Sequence, residues 1–174
     1  MPILSNSNIS ANLSSPARSY LWNIIISNPI GGGDADTLML RCQSTQIPER
    51  SFNPIEVPWQ QDSKLQYPGK LNYTYDWACE FVEGEDGAIL NSFYDWANTI
   101  IDDTTAVGGD QSNIISDIYL QLIGTDGTQW GQYWLQQCWI KSMGQIALSY
   151  DGESIIKVPI TFRYNKWNFQ GNLS

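Results

Sequence analysis

The chain has 174 residues and no histidine among them. Histidine-based acid/base relays, catalytic triads and imidazole metal sites are therefore excluded from the start. Residues 71–130 contain no lysine or arginine, and the whole chain holds only nine. A protein that grips nucleic acid through its phosphates needs clustered cations, so that class is disfavoured. No apolar stretch approaches the roughly 18 residues of a membrane span, and residues 1–16 carry neither the basic nor the apolar segment of a secretory signal, so no membrane binding is expected. Three cysteines (Cys42, Cys79, Cys138) cannot pair completely and sit in apolar or strand-like runs, which points to buried thiols.

What is present is aromatic and acidic. Eight Trp, nine Tyr and 42% hydrophobic residues describe a chain that folds, and its length suits one domain. The net charge of −9 is unevenly distributed. Residues 1–70 are neutral, residues 71–130 carry eleven acids and no base, and residues 131–174 carry four bases and two acids. An acidic block of this kind serves solubility, repels an anion or docks a basic partner.

The pattern along the chain predicts a mainly β fold, an antiparallel sandwich or barrel of about seven strands with one packed helix. Residues 1–17 read as a polar arm, with the domain over 18–174. Tyr20–Ile26 and Thr37–Thr45 read as a hairpin joined by the loop Gly31-Gly32-Gly33-Asp34. Residues 46–70, with four prolines, read as a long loop whose apolar side chains need a partner surface. Leu71–Phe81 alternates as one half-buried strand, and Gly87–Ile101 as a helix with the stripe Ile89, Phe93, Trp96 and Ile100. Asp117–Ile123 and Thr128–Ile140 form a hairpin across the Asp126-Gly127 turn, and Ile146–Tyr150 with Ile155–Tyr164 a last one, in which Pro159 marks an edge, a bulge or an unbonded position.

No catalytic set assembles from these residues, and no cofactor or metal is expected. Glu80, Glu83, Glu85 and Asp86 could perform glycosidic acid/base work, but acids just before a helix more simply cap its free N–H groups. The triple glycine lacks the Gly-Lys-Ser/Thr of a phosphate loop, and neither Asp34/Asp36 nor Asp102/Asp103 fits a calcium loop. Asp102 and Asp103 oppose the helix dipole, either as solvated loop residues or as part of a docking surface.

Several segments in order resemble the tail-tube proteins of contractile-tailed bacteriophages: Arg41–Pro48, Ile55-Glu56-Val57-Pro58, Tyr75-Asp76-Trp77 running into an acidic turn, Phe93-Tyr94-Asp95-Trp96, and the closing stretches Trp139–Gly144, Leu148–Asp151 and Val158–Tyr164 with Trp167. The resemblance spans residues 18–168 and implies a fold of tail-tube type. It implies a non-enzymatic virion protein, assembled in the host bacterial cytoplasm, whose hexameric rings stack into the inner tube of the tail. A contractile sheath would surround that tube, baseplate and tail-terminator proteins would end it, and DNA would pass through without specific binding. On this reading Pro48, Glu49, Arg50, Phe52, Ile55, Val57, Trp59 and Tyr67 contact other subunits and rings. Thr74, Asp76 and Glu80 are candidates for the channel wall, and Asp95, Asp102 and Asp103 for the sheath-facing surface. Two other readings stand beside it: a tube-initiator or baseplate ring subunit of the same fold, and a carbohydrate-binding β-sandwich whose Trp59, Trp130 and Trp134 form an exposed platform.

Overall fold

The computed structural model describes residues 16–27, 29–59, 63–151 and 154–171. All but the last two residues of the expected N-terminal arm lie outside that range. Among these residues nine strands and three α-helices follow in order, with a 3-10 turn at Ile30–Gly32: β1 (Trp22–Ile26), α1 (Ala35–Arg41), β2 (Cys42–Thr45), β3 (Ser51–Trp59), β4 (Ser63–Asn72), β5 (Asp76–Val82), α2 (Ala88–Ile100), the single turn α3 (Gln111–Ile114), β6 (Ser116–Ile123), β7 (Gln129–Met143), β8 (Lys157–Arg163) and β9 (Lys166–Gly171). Seven strands join in the antiparallel path β1-β6-β7-β8-β5-β2, with β9 added to β7, and β3 and β4 pair only with each other.

The fifteen-residue strand β7 belongs to both halves of this sheet. Gly131–Gln136 lies between β6 and β9, whereas Trp139–Met143 pairs with β8. The change of partner occurs at Gln137, whose φ of 55° lies in the left-handed region that L-residues avoid. Asp117 supports this corner: its carboxylate accepts the Gln137 N–H at 2.9 Å and the Trp134 indole N–H at 3.1 Å. Strands that switch sheets at such bulges make the corners of sandwiches.

One core lies between the two halves. Ile24, Ile26, Ile118, Leu120 and Leu135 supply one side, and Trp77, Cys79, Phe81, Val158, Ile160 and Phe162 the other. Helix α2 lays Ile89, Phe93 and Trp96 into it, as the stripe predicts, with Ile100 partly buried. The Phe162 ring lies 6.0 Å from Trp77, 6.0 Å from Phe93 and 5.7 Å from Trp96 between centroids, within the range of favourable aromatic contacts. All three cysteines are free, Cys79 and Cys138 buried and Cys42 half-buried, and burial raises both buried thiols' pKa values.

Four expectations need correction. First, β1 pairs with β6, not with the segment after it, and residues 35–41 are helical. Asp34 caps that helix, accepting from the Thr37 N–H and hydroxyl, so the glycine loop leads from a strand into a helix. Second, Ser51–Trp59 and Ser63–Asn72 are not loop but the paired strands β3 and β4. Pro54, Pro58 and Pro68 share one register class, in which the missing N–H would point to the ribbon's open edges. Third, the strand expected over Leu71–Phe81 is broken: Tyr75 has φ 60°, so β4 and β5 are separate strands. Fourth, residues 144–149 hold no strand, and β8 lies between β5 and β7. The chain's last strand is instead β9, whose Lys-Trp-Asn-Phe-Gln alternation is visible in the sequence.

Candidate assembly surfaces

The first surface is the β3–β4 hairpin. Every described side chain from Phe52 to Trp59 and from Ser63 to Pro68 is exposed. Ile55 faces Tyr67 and Val57 faces Leu65, and Trp59 follows on the same side, so five large apolar side chains line one face. The opposite face carries Pro54, Pro58, Pro68, Gln66 and the Glu56–Lys64 ion pair at 3.0 Å. The root is anchored to the body, because Pro48 is buried and the Trp77 indole donates to the Gln46 carbonyl at 2.6 Å. Glu49 and Arg50 are exposed at that root, with the Arg50 guanidinium 5.6 Å from the Phe52 ring centre. Of the residues expected to contact other chains, Pro48 alone is spent inside its own domain.

The second surface is the outward side of β5, β8 and the end of β7. Asp76 binds both Lys141 and Arg163, and Glu80 binds Lys157 at 3.2 Å. The Lys141 hydrogen bond, together with the charge of Arg163, lowers the Asp76 pKa below the usual carboxylate value. Thr74 precedes β5, with its hydroxyl 3.4 Å from that of Tyr164. The candidate wall residues Asp76 and Glu80 therefore share their face with three cations.

The third surface is the outer side of α2. Asn91, Tyr94, Asp95, Asn98 and Thr99 are exposed, and Asp102 and Asp103 follow in the next turn. Asp102 is not merely solvated. Its carboxylate accepts the Thr104 and Thr105 N–H groups at 2.8 and 2.7 Å, which organises the turn and lowers its pKa.

At the other end of α2, Glu83 and Asp86 do the capping work expected of the acidic cluster, while Glu80 is turned to Lys157 instead. Gly87, at φ 66°, opens the helix, and Glu83 accepts from Gly84, Ile89 and Leu90 N–H groups. Arg41 closes on Asp86 through two bonds of 2.8 and 2.7 Å and lies 3.7 Å from Glu83. That clamp holds the Asp86 pKa down to about 2 from 3.8. A carboxylate with a lowered folded-state pKa stabilises the fold above its ordinary value and loses that contribution as pH falls through the folded one. Acid titration of the thermal midpoint should thus fall between pH 3.8 and about 2, and less steeply for Asp86→Asn. Equal slopes for the two proteins would disprove the linkage.

The three tryptophans of the sugar-platform reading are dispersed in function. Trp59 stands on the hairpin, Trp134 stacks on Tyr119 at 5.9 Å while donating to Asp117, and Trp130 lines a 360 Å³ groove with Leu21, Trp22 and Ile47.

Known proteins share this fold. A family model for phage tail tube proteins matches residues 6–170. A chain from the PVC extracellular contractile injection system, in its extended sheath-tube complex, superposes with a TM-score of 0.65 at 17% identity, covering 96% of this chain and 98% of that one. A chain from the sheath/tube terminator of that system gives 0.67 at 16% identity over 91% and 99%. The SPP1 tail tube gives 0.57 at 9% identity over 91% and 81%. No individual curated protein sequence is significantly similar. The hairpin's apolar face is uncovered among the described residues, on a sandwich with its own core, and the family model spans residues 6–170 of the 174: this chain belongs to the phage tail tube protein family.

Proposed function

We propose that the chain is the repeating subunit of a tail tube, in which hexameric rings stack into a channel for phage DNA inside a contractile sheath. The observation that carries this reading is the β3–β4 hairpin, whose Ile55, Val57, Trp59, Leu65 and Tyr67 have no covering element among the described residues. Exposed apolar patches of this extent mark interaction sites. The hairpin reaches the neighbouring ring, and Glu49, Arg50 and Phe52 at its root contact adjacent subunits.

Ring closure has a topological basis. In the order β1-β6-β7-β9 all neighbours are antiparallel, so the outer edges of β1 and β9, which pair with no other strand among the described residues, run in opposite directions. Copies related by rotation about one axis would bring β9 of one beside β1 of the next in antiparallel register. Unpaired edges are otherwise a liability, and pairing them in a closed ring removes it.

The outer side of α2, with Asp95, Asp102 and Asp103, faces the sheath in this scheme, while baseplate and terminator proteins occupy the ends. Changing Asp95, Asp102 and Asp103 to lysine should lower sheath binding to preformed tubes at least about tenfold, as expected for lost electrostatic complementarity. Unchanged co-sedimentation of sheath with tubes would remove this surface from consideration. Negative-stain microscopy of the purified protein tests the central claim: stacked six-fold rings with an open channel are expected, and a persistent monomer at high concentration would overturn it. A tube-initiator of the same fold would give single rings that nucleate tubes of another subunit.

A further inference from the structure

Strand register decides which backbone groups of the β3–β4 hairpin are spent inside it and which remain open. Pro54 lies opposite Pro68, and two prolines cannot exchange N–H···O bonds, so this pair belongs to the class whose backbone groups point outward. Further along the ribbon, Glu56 opposite Gln66 and Pro58 opposite Lys64 fall in the same class, while Ile55–Tyr67, Val57–Leu65 and Trp59–Ser63 make the bonds of the ladder. β3 therefore turns Pro54, Glu56 and Pro58 to one open edge, and β4 turns Lys64, Gln66 and Pro68 to the other.

The two edges are unequal. Of these outward positions on β3 only Glu56 keeps an N–H, and a proline ring stands on either side of it, at Pro54 and Pro58. Each ring takes the place of the missing donor and fills the space where a neighbouring strand would lie. On β4, Lys64 and Gln66 are consecutive outward donors about 7 Å apart, and Pro68 closes the edge only toward the root. Lysine on an edge strand usually wards off pairing. Here the Lys64 ammonium is drawn across the ribbon to Glu56 on β3, 3.0 Å away, and so leaves the β4 edge unguarded.

We propose that the hairpin joins a second copy of this chain by strand addition along β4, at Lys64–Gln66, and that its prolines seal the β3 edge against the same reaction. This rests on the tube reading above and adds to it the backbone groups that make the contact. The open stretch lies beyond Pro68, on the outer part of the hairpin, and β4 pairs with no strand but β3 among the described residues, which places the added strand on another copy. Each copy also brings edges of the required kind: one side of β1, of β2 and of β9 pairs with no other strand among the described residues. A strand added in the plane of the ribbon leaves the apolar face open to pack on the same neighbour. Sealing β3 removes one of the two templates by which unassembled subunits would otherwise pair edge to edge.

Glu56 and Gln66 face each other, so a proline at either one tests one edge at the same height of the hairpin. Gln66→Pro should raise the concentration needed for tube formation at least about tenfold, because it removes a donor and sets a ring in the path of the added strand while breaking no ladder bond. Glu56→Pro should change it less than about twofold, with Glu56→Gln reporting the loss of the exposed ion pair by itself. Circular dichroism confirms that each subunit is folded. Equal effects of the two proline variants, or a larger effect of Glu56→Pro, would overturn the proposal. Residue-resolved hydrogen exchange reads the same contact in the unsubstituted protein: on assembly the Lys64 and Gln66 amides should slow at least about a hundredfold, while the Glu56 amide stays fast. Protection of Glu56 instead, or of none of the three, would show a ribbon held by its other edge or by its face, overturning the proposal and leaving the tube reading intact. Failure of the unsubstituted protein to form tubes would remove the tube reading and this proposal with it.

Discussion

Replacing Val57 and Leu65 by aspartate should abolish tube formation while leaving the subunit folded. The two side chains face each other across the hairpin and are 40% and 47% exposed in the free subunit, so the monomer loses little by the change. Burying the exposed remainder of each against a neighbour would contribute about 0.7–1.3 kcal/mol. Removing both raises the concentration needed for assembly by roughly one to two decades, at 1.4 kcal/mol per decade, and burying two carboxylates there adds several kcal/mol more. Sedimentation velocity against concentration reads this directly, and circular dichroism with a thermal melt confirms the fold. Tubes at the unsubstituted protein's concentration would show that the hairpin face is not an assembly contact.

The second large effect belongs to the core. Phe162→Ala should destabilise the subunit by about 3–5 kcal/mol, as for other buried phenylalanines whose removal leaves a cavity. Phe162 is fully buried and contacts Trp77 from β5 and both Phe93 and Trp96 from α2, so the cavity opens where three elements meet. For a domain of this size that corresponds to a fall in Tm of roughly 6–20 °C, measured by scanning calorimetry. Phe52→Ala, at a side chain 52% exposed on the hairpin, should shift Tm by less than about 2 °C. A comparable shift for the two variants would contradict the placement of the core.

Helix α2 was legible because its period is its own: Ile89, Phe93 and Trp96 recur at helical spacing whatever surrounds them. The cap at Glu83 was legible for the same local reason. Helix α1 carried signals too, with Asp34 at the cap and Leu-Met-Leu-Arg after it, but the β-branched and cysteine-containing run to Thr45 outweighed them. The hairpin was obscured by its prolines. In a sheet interior they would break the ladder, whereas a two-stranded ribbon has open edges to receive the positions without N–H groups. Only the pairing partner reveals that Pro54, Pro58 and Pro68 fall in one register class. The break at Tyr75 and the corner at Gln137 were invisible, since both are left-handed conformations held by tertiary contacts. The Tyr75 carbonyl accepts from Tyr164, and the Gln137 N–H donates to Asp117. The expected contact residues Ile55, Val57, Trp59 and Tyr67 could be chosen by composition, but not the face they share, which exists only through cross-strand register.

The sequence by itself determined a chain without imidazole chemistry, rich in strands, with one strongly amphipathic helix and an acidic middle. Composition and local period depend on nothing beyond neighbouring residues. Where that acidity acts was decided only by the tertiary structure. Register between β5 and β8 carries Lys157 and Arg163 onto Glu80 and Asp76, and the β7 corner brings Lys141 to the same place. Arg41, from before the acidic block, closes on Asp86 and Glu83. Asp102, Asp117 and Asp126 turn to backbone N–H groups. A charge counted along the chain is a one-dimensional sum, while the field it makes depends on distances that strand pairing sets. Cations distant in sequence therefore pair with four of the block's eleven acids, Asp76, Glu80, Glu83 and Asp86, through distances that only the tertiary structure sets.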